Sequence, residues 1–247
     1  VQFSSGTTAH KKGIEISELS LLNQVKSYSK HVQFHEKSKV ASWLPHYHDM
    51  GLIACMLMPL LEQIEILMFS PFEWVANPGE FLRKVDEHKC THTWQPNFAL
   101  GHMIKSIPIE KTQDYDLSSI EYLACCSEPV LYDTINTFVH HFELSKINKT
   151  SLKNCYAMAE NTFAMSASSH DQIKFLSIDY EKFKNYGEII IDKNGYKIAS
   201  AGLPLNNNSI KIFDQRNKEL DEGKVGYIFI KSDSLFDGYY NNQKLTD

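Results

Sequence analysis

Between Phe3 and Gly13 the chain sets Ser4, Ser5, Thr7 and Thr8 around Gly6 and follows them with Lys11 and Lys12. Backbone N–H groups in a Gly/Ser/Thr turn converge on anionic oxygens, hydroxyls add donors and Mg2+ ligands, and a lysine supplies positive charge. This is chemistry for wrapping a polyphosphate, although the same composition also suits a flexible polar loop. An ordinary P-loop is excluded: it needs Gly, four residues, then Gly-Lys-Ser/Thr, whereas Lys12 follows Lys11 and precedes Gly13. A second cluster, His46, His48 and Asp49, lies in Trp43-Leu44-Pro45-His46-Tyr47-His48-Asp49-Met50-Gly51-Leu52. Its His-x-His-Asp spacing invites a zinc reading, which needs more ligands than the segment offers. His88, His92, His140 and His141 fall where helix or strand packing positions are expected. A third candidate, Glu160, follows the apolar stretch from Cys155 to Ala159. Taken alone, such a glutamate reads as a surface carboxylate or a helix N-terminal charge.

The elements that must hold these residues are legible from hydrophobic period. After Ser17, the residues Leu22, Val25, Ser29 and Val32 recur at helical spacing and leave Lys26, Lys30 and Glu36 on the wet side. Residues 40–44 read as a strand, 51–62 as a helix, 64–69 as a buried strand, 80–88 as a helix, 91–94 as a strand and 98–107 as a helix. The rhythm continues with a strand at 120–125, a helix at 131–142 and a strand at 152–156. Such alternation predicts an α/β fold with a largely parallel sheet covered by helices on both faces, and ligands at the carboxyl ends of its strands. Beyond about Thr162 the pattern becomes β-rich: 187–198 reads as a hairpin around Asn194-Gly195, with further strands at 209–214 and 224–231.

Composition narrows the classes. The 247 residues are 43% hydrophobic with a formal net charge of −5, and no basic tract interleaved with aromatics suggests a nucleic-acid partner. Cys55, Cys90, Cys125, Cys126 and Cys155 are odd in number and form no C-x-x-C pair, which fits a reducing cytoplasm and packing roles better than a disulfide framework or a zinc ribbon. The longest apolar run, 52–61, contains Pro59 and falls well short of the ~20 residues that span a bilayer, so it is expected as a buried core helix with no transmembrane segment.

The stretch from Phe3 to Gly13 resembles the signature loop of the adenylate-forming superfamily: acyl-CoA synthetases, luciferases and peptide-synthetase adenylation domains. Their pattern is aromatic-Thr-Ser-Gly-Thr-Thr-Gly-x-Pro-Lys-Gly, from which Ser4, Ala9 and Lys11 depart. Further segments are similar in the family's order. Leu44 to Leu52 resembles the Leu-Pro-x-x-His-Asp-Met-Gly-Leu sequence of the fatty-acyl-AMP ligases, and Gln95-Pro96-Asn97-Phe98-Ala99 resembles their Pro-Asn-Phe-Ala segment. Cys126-Ser127-Glu128-Pro129-Val130 resembles Gly-Ala-Glu-Pro-Val, with Cys126 at the glycine position narrowing the loop's freedom. Tyr156-Ala157-Met158-Ala159-Glu160 resembles aromatic-Gly-Met-Ala-Glu, and Ala199 to Pro204, Gly226 to Lys231 and Gly238 to Asn241 resemble later motifs.

The resemblance implies catalytic work for His48, Lys12 and Glu160. It implies ATP contacts for Ser4, Ser5, Gly6, Thr7, Thr8, Lys12, Ser127, Glu128, Pro129, Tyr156, Ala157 and Met158, with Tyr156 stacking on adenine. Acyl contacts fall to His48, Asp49, Gly51 and Phe98, and Mg2+ to Thr8 and Glu160. Residues 1–165 would be an α/β adenylation core, 166–198 an insertion that in these ligases holds back the coenzyme A-using conformation, and 199–247 the start of a β-rich subdomain. The ribose-binding aspartate and the small C-terminal domain with its lysine would lie outside the chain, making it the middle of a family member and of little activity alone. The implied reaction is formation of acyl-adenylate from a fatty acid and ATP, with an acyl carrier protein as acceptor. The alternatives are an acyl-CoA synthetase using coenzyme A and a non-catalytic nucleotide-binding remnant.

Overall fold

A computed structural model of the chain describes residues 1–3, 12–168 and 171–247. The chain begins with strands β1 (Gln2–Phe3) and β2 (Gly13–Glu15), helix α1 (Glu18–Val32) and strand β3 (Lys39–Ser42). A π-helix, Met50–Leu57, runs into α2 (Met58–Leu61), followed by β4 (Glu65–Met68), α3 (Pro71–Ala76), α4 (Pro78–His88), β5 (His92–Gln95) and α5 (Asn97–Ser106). Next come β6 (Tyr122–Cys125), α6 (Tyr132–His141), β7 (Leu152–Ala157), β8 (Ala164–Ala167), β9 (Phe175–Ile178) and α7 (Tyr180–Tyr186). The last strands are β10 (Tyr196–Ala199), β11 (Leu203–Pro204), β12 (Asn208–Phe213), β13 (Tyr227–Ser232) and β14 (Gly238–Tyr239).

The main sheet has seven strands in the order β11-β8-β7-β6-β5-β3-β4. Pairing is parallel from β4 across to β7, and antiparallel where β8 and then β11 are added. All four residues of β5, β6 and β8 are buried, as strands sandwiched between helical layers must be. The α/β class and the mostly parallel sheet are therefore as the alternation predicts. The strand expected to be buried at 64–69 is instead the sheet's edge: Glu65 and Met68 are exposed, because only β3 pairs with it.

Local chemistry sets the helix ends. Ser17 caps α1 by accepting from Ser20 N at 3.1 Å, and Ser70 and Glu73 form a capping box on α3. The buried face of α1 centres on Val25, Tyr28 and Val32, so Leu22, expected inward, is exposed at its flank. The apolar run at 52–61 folds as a wide π-turn followed by a short α-segment, with Met58 N bonded to Ile53 O. Its end is not core: Leu60 and Leu61 are exposed, beyond the buried Met58 and Pro59. His88 and His140 are likewise exposed rather than packed, whereas His141 donates through Nε2 to Ile107 O at 2.8 Å.

The hairpin expected at 187–198 takes another form. Gly187, at φ 64°, ends α7 and its N–H bonds back to that helix, so no strand starts there and Ile190 and Ile191 are exposed. The turn at Asn194-Gly195 persists, but it leads into β10, whose antiparallel partner is β9. Ser166 and Ala167 lie in β8, paired with Tyr156 and Cys155. Where the chain returns to that strand, Gly202 has φ +83°, and a Cβ would stand 2.0 Å from the carbonyl carbon of Ala167. Only glycine fits there.

All five cysteines are free and buried. Trp94, fully buried, donates through Nε1 to Tyr28 Oη at 2.9 Å, and Phe163 meets the Tyr28 ring edge-on with centroids 5.6 Å apart. Beside them His92 bonds through Nε2 to Val32 O at 2.9 Å and through Nδ1 to Thr91 Oγ1 at 2.7 Å. Burial pushes its pKa down to about 4, against 6.5 when unfolded. A depressed folded value means that stability is complete above pH 6.5 and declines as pH falls toward 4, by about 3 kcal/mol from this residue. Urea unfolding between pH 7 and 4 is expected to show this decline, with a shallower slope in His92→Gln; equal slopes would remove His92 as its source.

Candidate active site

Strands β1 and β2, which flank residues 4–11 in the sequence, pair with each other, Gln2 facing Ile14 and Phe3 facing Gly13. Residues 4–11 lie outside the described residues, so the expected roles of Ser4, Ser5, Gly6, Thr7 and Thr8 concern positions on which the structure is silent. Strand β14 adds to the far side of β2, Gly238 opposite Glu15 and Tyr239 opposite Ile14. Asp237 N and Tyr240 N extend this ladder to Glu15 O and Gly13 O at 2.8 and 2.9 Å.

The turn carrying Glu160 is fastened to these same strands. The Gln2 side-chain amide donates to Ala159 O at 3.1 Å and to Thr162 O at 3.0 Å. Phe236 N donates to Glu160 O at 2.9 Å, and Thr162 Oγ1 to Ser234 O at 2.7 Å. Thr162 is held at φ 61°, a costly conformation for a β-branched residue, which these bonds enforce. Tyr239 Oη donates to Glu160 Oε1 at 2.9 Å, while Lys12 Nζ stands 5.1 Å from the centre of the Tyr239 ring. Burial, together with the Glu160 bond, pushes the Tyr239 phenol up to about 12, so it remains a donor at neutral pH. Lys12 and Glu160, distant in sequence, thus meet at one tyrosine.

A cleft of about 420 Å³ opens where β6 and β7 end. Ser127 to Leu131, leaving β6, form one side and Asn154 to Ala157, the end of β7, form another; Tyr196 to Ala199 with Ala201 close it. The expected nucleotide residues Ser127, Glu128, Pro129, Tyr156 and Ala157 share this lining, and Met158 is not among the lining residues. The left-handed position of the β6 loop is Ser127, at φ 71°, and not Cys126, the glycine-matching residue. Cys126 turns inward, its Sγ 3.2 Å from Met50 Sδ, so the constraint expected from losing glycine falls one residue later. The Glu128 carboxylate accepts from Phe98 N, and Asn97 Oδ1 accepts from Leu131 N at 3.1 Å, which pins the loop to the start of α5.

The His48 segment abuts this loop through Met50, whose Sδ also lies 3.7 Å from Ser127 Oγ. Met50 N donates to Asp49 Oδ1 at 2.7 Å and to His48 Nδ1 at 3.2 Å, so both side chains cap the head of the π-helix, with His48 Nδ1 2.7 Å from Asp49 Oδ1. That helix reaches its place because Gly51 has no side chain: a Cβ there would sit 2.3 Å from Pro45 O. Phe98 is 55% exposed and lies edge-on to Trp43 and Trp74, which stack 3.8 Å apart. Trp43 is anchored by donation from Nε1 to Gln95 Oε1 at 2.7 Å.

Among the described residues no three His, Cys, Asp or Glu side chains converge as a metal cluster, so the zinc reading of His46, His48 and Asp49 finds no partner ligands there. A single hard carboxylate at Glu160 suits a cation that takes its other ligands from phosphate and water, the habit of Mg2+. Among the described residues no helix is long and apolar enough to cross a membrane.

The profile of one protein family, described as AMP-binding enzyme, matches residues 1–240. The chain belongs to that family. AMP-binding enzymes similar to it include a medium-chain-fatty-acid–[acyl-carrier-protein] ligase, JamA, of Moorena producens (strain JHB), 27% identical over all of this chain and 43% of that protein. A fatty acid AMP ligase from Legionella pneumophila superposes with a TM-score of 0.94 at 31% identity, covering 99% of this chain and 43% of that one. A fatty acyl-adenylate ligase from L. pneumophila in complex with acyl adenylate and pyrophosphate gives 0.93 at 32% identity, covering 99% and 44%. The chain therefore spans about two fifths of the length of the relatives it matches.

Two contributors to this arrangement have no role that the sequence points to. Tyr239 belongs to a Gly-Tyr-Tyr-Asn segment that resembles a family motif but gives no sign of its contact with Glu160, far back along the chain. The β10 wall comes from residues whose pattern announces only a hairpin. In both cases strand pairing, not spacing, makes the neighbour.

Proposed function

We propose that the protein containing this chain activates a fatty acid with ATP, forming acyl-adenylate and releasing pyrophosphate, and passes the acyl group to an acyl carrier protein. The observation carrying this reading is the fastening of the Glu160 turn, through Gln2, Phe236 and Tyr239, to the strands that bracket residues 4–11. A phosphate-wrapping segment and a metal-binding carboxylate need to be held in fixed relation. The similarity to a ligase in complex with acyl adenylate and pyrophosphate supports the same reading.

In this reaction a carboxylate oxygen forms a bond to the α-phosphorus as the bond to the pyrophosphate oxygen breaks. The carboxylate is already a competent nucleophile and needs no general base. The chain's contribution is to hold two anions in line and oppose the charge gathering on the phosphate oxygens. Lys12 and the N–H groups and hydroxyls of residues 4–8 oppose that charge, His48, oriented by Asp49, directs the carboxylate, and Tyr156 with Ser127, Glu128, Pro129, Ala157 and Met158 receives the adenine. Gly51 and Phe98 border the acyl chain. Glu160 and Thr8 would hold Mg2+, which would supply neutralisation of phosphate charge.

On this reading 1–165 is the adenylation core, 166–198 the insertion and 199–247 the start of the β-rich subdomain. The five free thiols suit a reducing cytoplasm. The deciding experiment is ATP–pyrophosphate exchange by the whole protein with fatty acids of graded length. Exchange that depends on the acid is expected, and its absence in folded protein would overturn the proposal. Acyl transfer to a phosphopantetheine-bearing carrier, rather than to coenzyme A, is expected when both acceptors are offered.

A further inference from the structure

The cleft's closing wall is β10, which belongs neither to the β6 loop nor to the β7 end. Three contacts set its distance from the rest. Leu131 and Ile198 form an isolated antiparallel bridge. Asn154 Nδ2 donates to Ser200 O at 2.7 Å, fixing the strand's exit to β7. Lys197 Nζ stands 3.4 Å from the centre of the Tyr132 ring, the first residue of α6, directly behind the loop that carries Ser127 and Glu128. Lys197 also lines the cleft itself. A lysine over an aromatic face is a specific contact, worth more as it is withdrawn from water.

We propose that Lys197, clamped on Tyr132, is a positioning residue that sets the width of the cleft for a purine nucleotide, so that the β9–β10 segment contributes directly to nucleotide affinity. The inference rests on the nucleotide reading of the cleft given above. The base slides between Tyr156 and the β10 wall, and the clamp keeps that wall from swinging outward. Lys197 thereby acts on the nucleotide and not on the acid, whose proposed contacts lie on the His48 side.

The test is calorimetric titration of the whole protein with Mg·ATP and, separately, with a fatty acid. Lys197→Met is expected to weaken ATP about fivefold, raising the KM for ATP with kcat and the KM for the acid unchanged. Lys197→Arg, which keeps the cation over the ring, is expected to restore wild-type affinity. Tyr132→Leu removes the same contact from the other side and is expected to weaken ATP equally, with no further loss in the double variant. ATP binding by Lys197→Met and Tyr132→Leu within twofold of wild type overturns the inference while leaving the nucleotide reading intact. Equal weakening of ATP and acid also overturns it, since that marks general loosening. A folded wild-type protein that binds no ATP overturns both readings.

Discussion

Gly51→Ala is expected to destabilise the chain by about 3 kcal/mol and lower its thermal midpoint by roughly 6 to 12 °C. The added methyl would stand 2.3 Å from Pro45 O, 2.9 Å from Pro45 C and 3.0 Å from Leu44 O. All three are backbone atoms, so no side chain can swing aside, and relief requires the π-helix to back away from the Pro45 turn. His48 N bonds to Pro45 O at 3.2 Å and Leu52 N to His48 O at 2.9 Å, so that retreat also misplaces His48. The control is Gly101→Ala in α5, where a Cβ meets nothing within 4 Å and alanine is the better helix former by about 0.5–1 kcal/mol. Calorimetric melts of the two variants should move in opposite directions. A Gly51→Ala protein melting within 2 °C of wild type would show that the close approach is not required.

The contrast between these glycines marks what a sequence can and cannot carry. The parallel strands from Lys39 to Ala157 are legible because short β-prone runs alternate with helix-length segments, and that alternation is a local signal. Val25, Ser29 and Val32 likewise mark one face of α1, whereas Leu22, of the same period, lies at its flank and Tyr28, which the period does not include, is buried. The motif around Gly51 pointed to a site, but the reason for glycine is a carbonyl at Pro45 that only the folded turn brings close. The edge position of β4 is not legible because edge or centre is a property of neighbours, and Ile66-Leu67-Met68 looks alike in either. Gly187 read as the start of a strand because its role as the cap of α7 depends on a helix whose seven residues have no buried member. The cleft-lining residues Ser127 to Pro129 and Tyr156 are each marked by a motif, yet the wall they share at Tyr196 to Ala199 is not, since pairing across the intervening residues leaves no period to read.

Glu160→Gln is the second variant with a large expected effect, and it isolates charge from architecture. The amide retains Oε1 to accept from Tyr239, and the backbone bond from Phe236 is untouched, so the melt should match wild type. On the proposed reading the lost carboxylate charge lowers ATP–pyrophosphate exchange by the whole protein about 100-fold or more, and raises the magnesium concentration needed for half-maximal exchange. Tyr239→Phe leaves the carboxylate and the ring under Lys12 but removes the donor that orients Oε1, and an intermediate loss of about 10-fold is expected. If Glu160→Gln exchanges pyrophosphate within threefold of wild type, the carboxylate has no part in the reaction. If Tyr239→Phe loses as much as Glu160→Gln, the tyrosine does more than orient it.

Strand β14 lies beside β2, and the same late segment reaches back to α1, where Ser20 Oγ donates to Leu235 O across a separation of 215 residues. During synthesis at about 5–20 residues per second, the footing of residues 4–11 therefore waits on the order of tens of seconds for its last strand to emerge. The seven-stranded sheet needs nothing beyond Pro204 and can assemble in the meantime. A nascent chain would hold a formed sheet and the cleft at the ends of β6 and β7, while β2 still lacked its β14 neighbour. The order of emergence therefore makes the bracing of the Glu160 turn by Phe236 and Tyr239 a later event than the closing of the sheet.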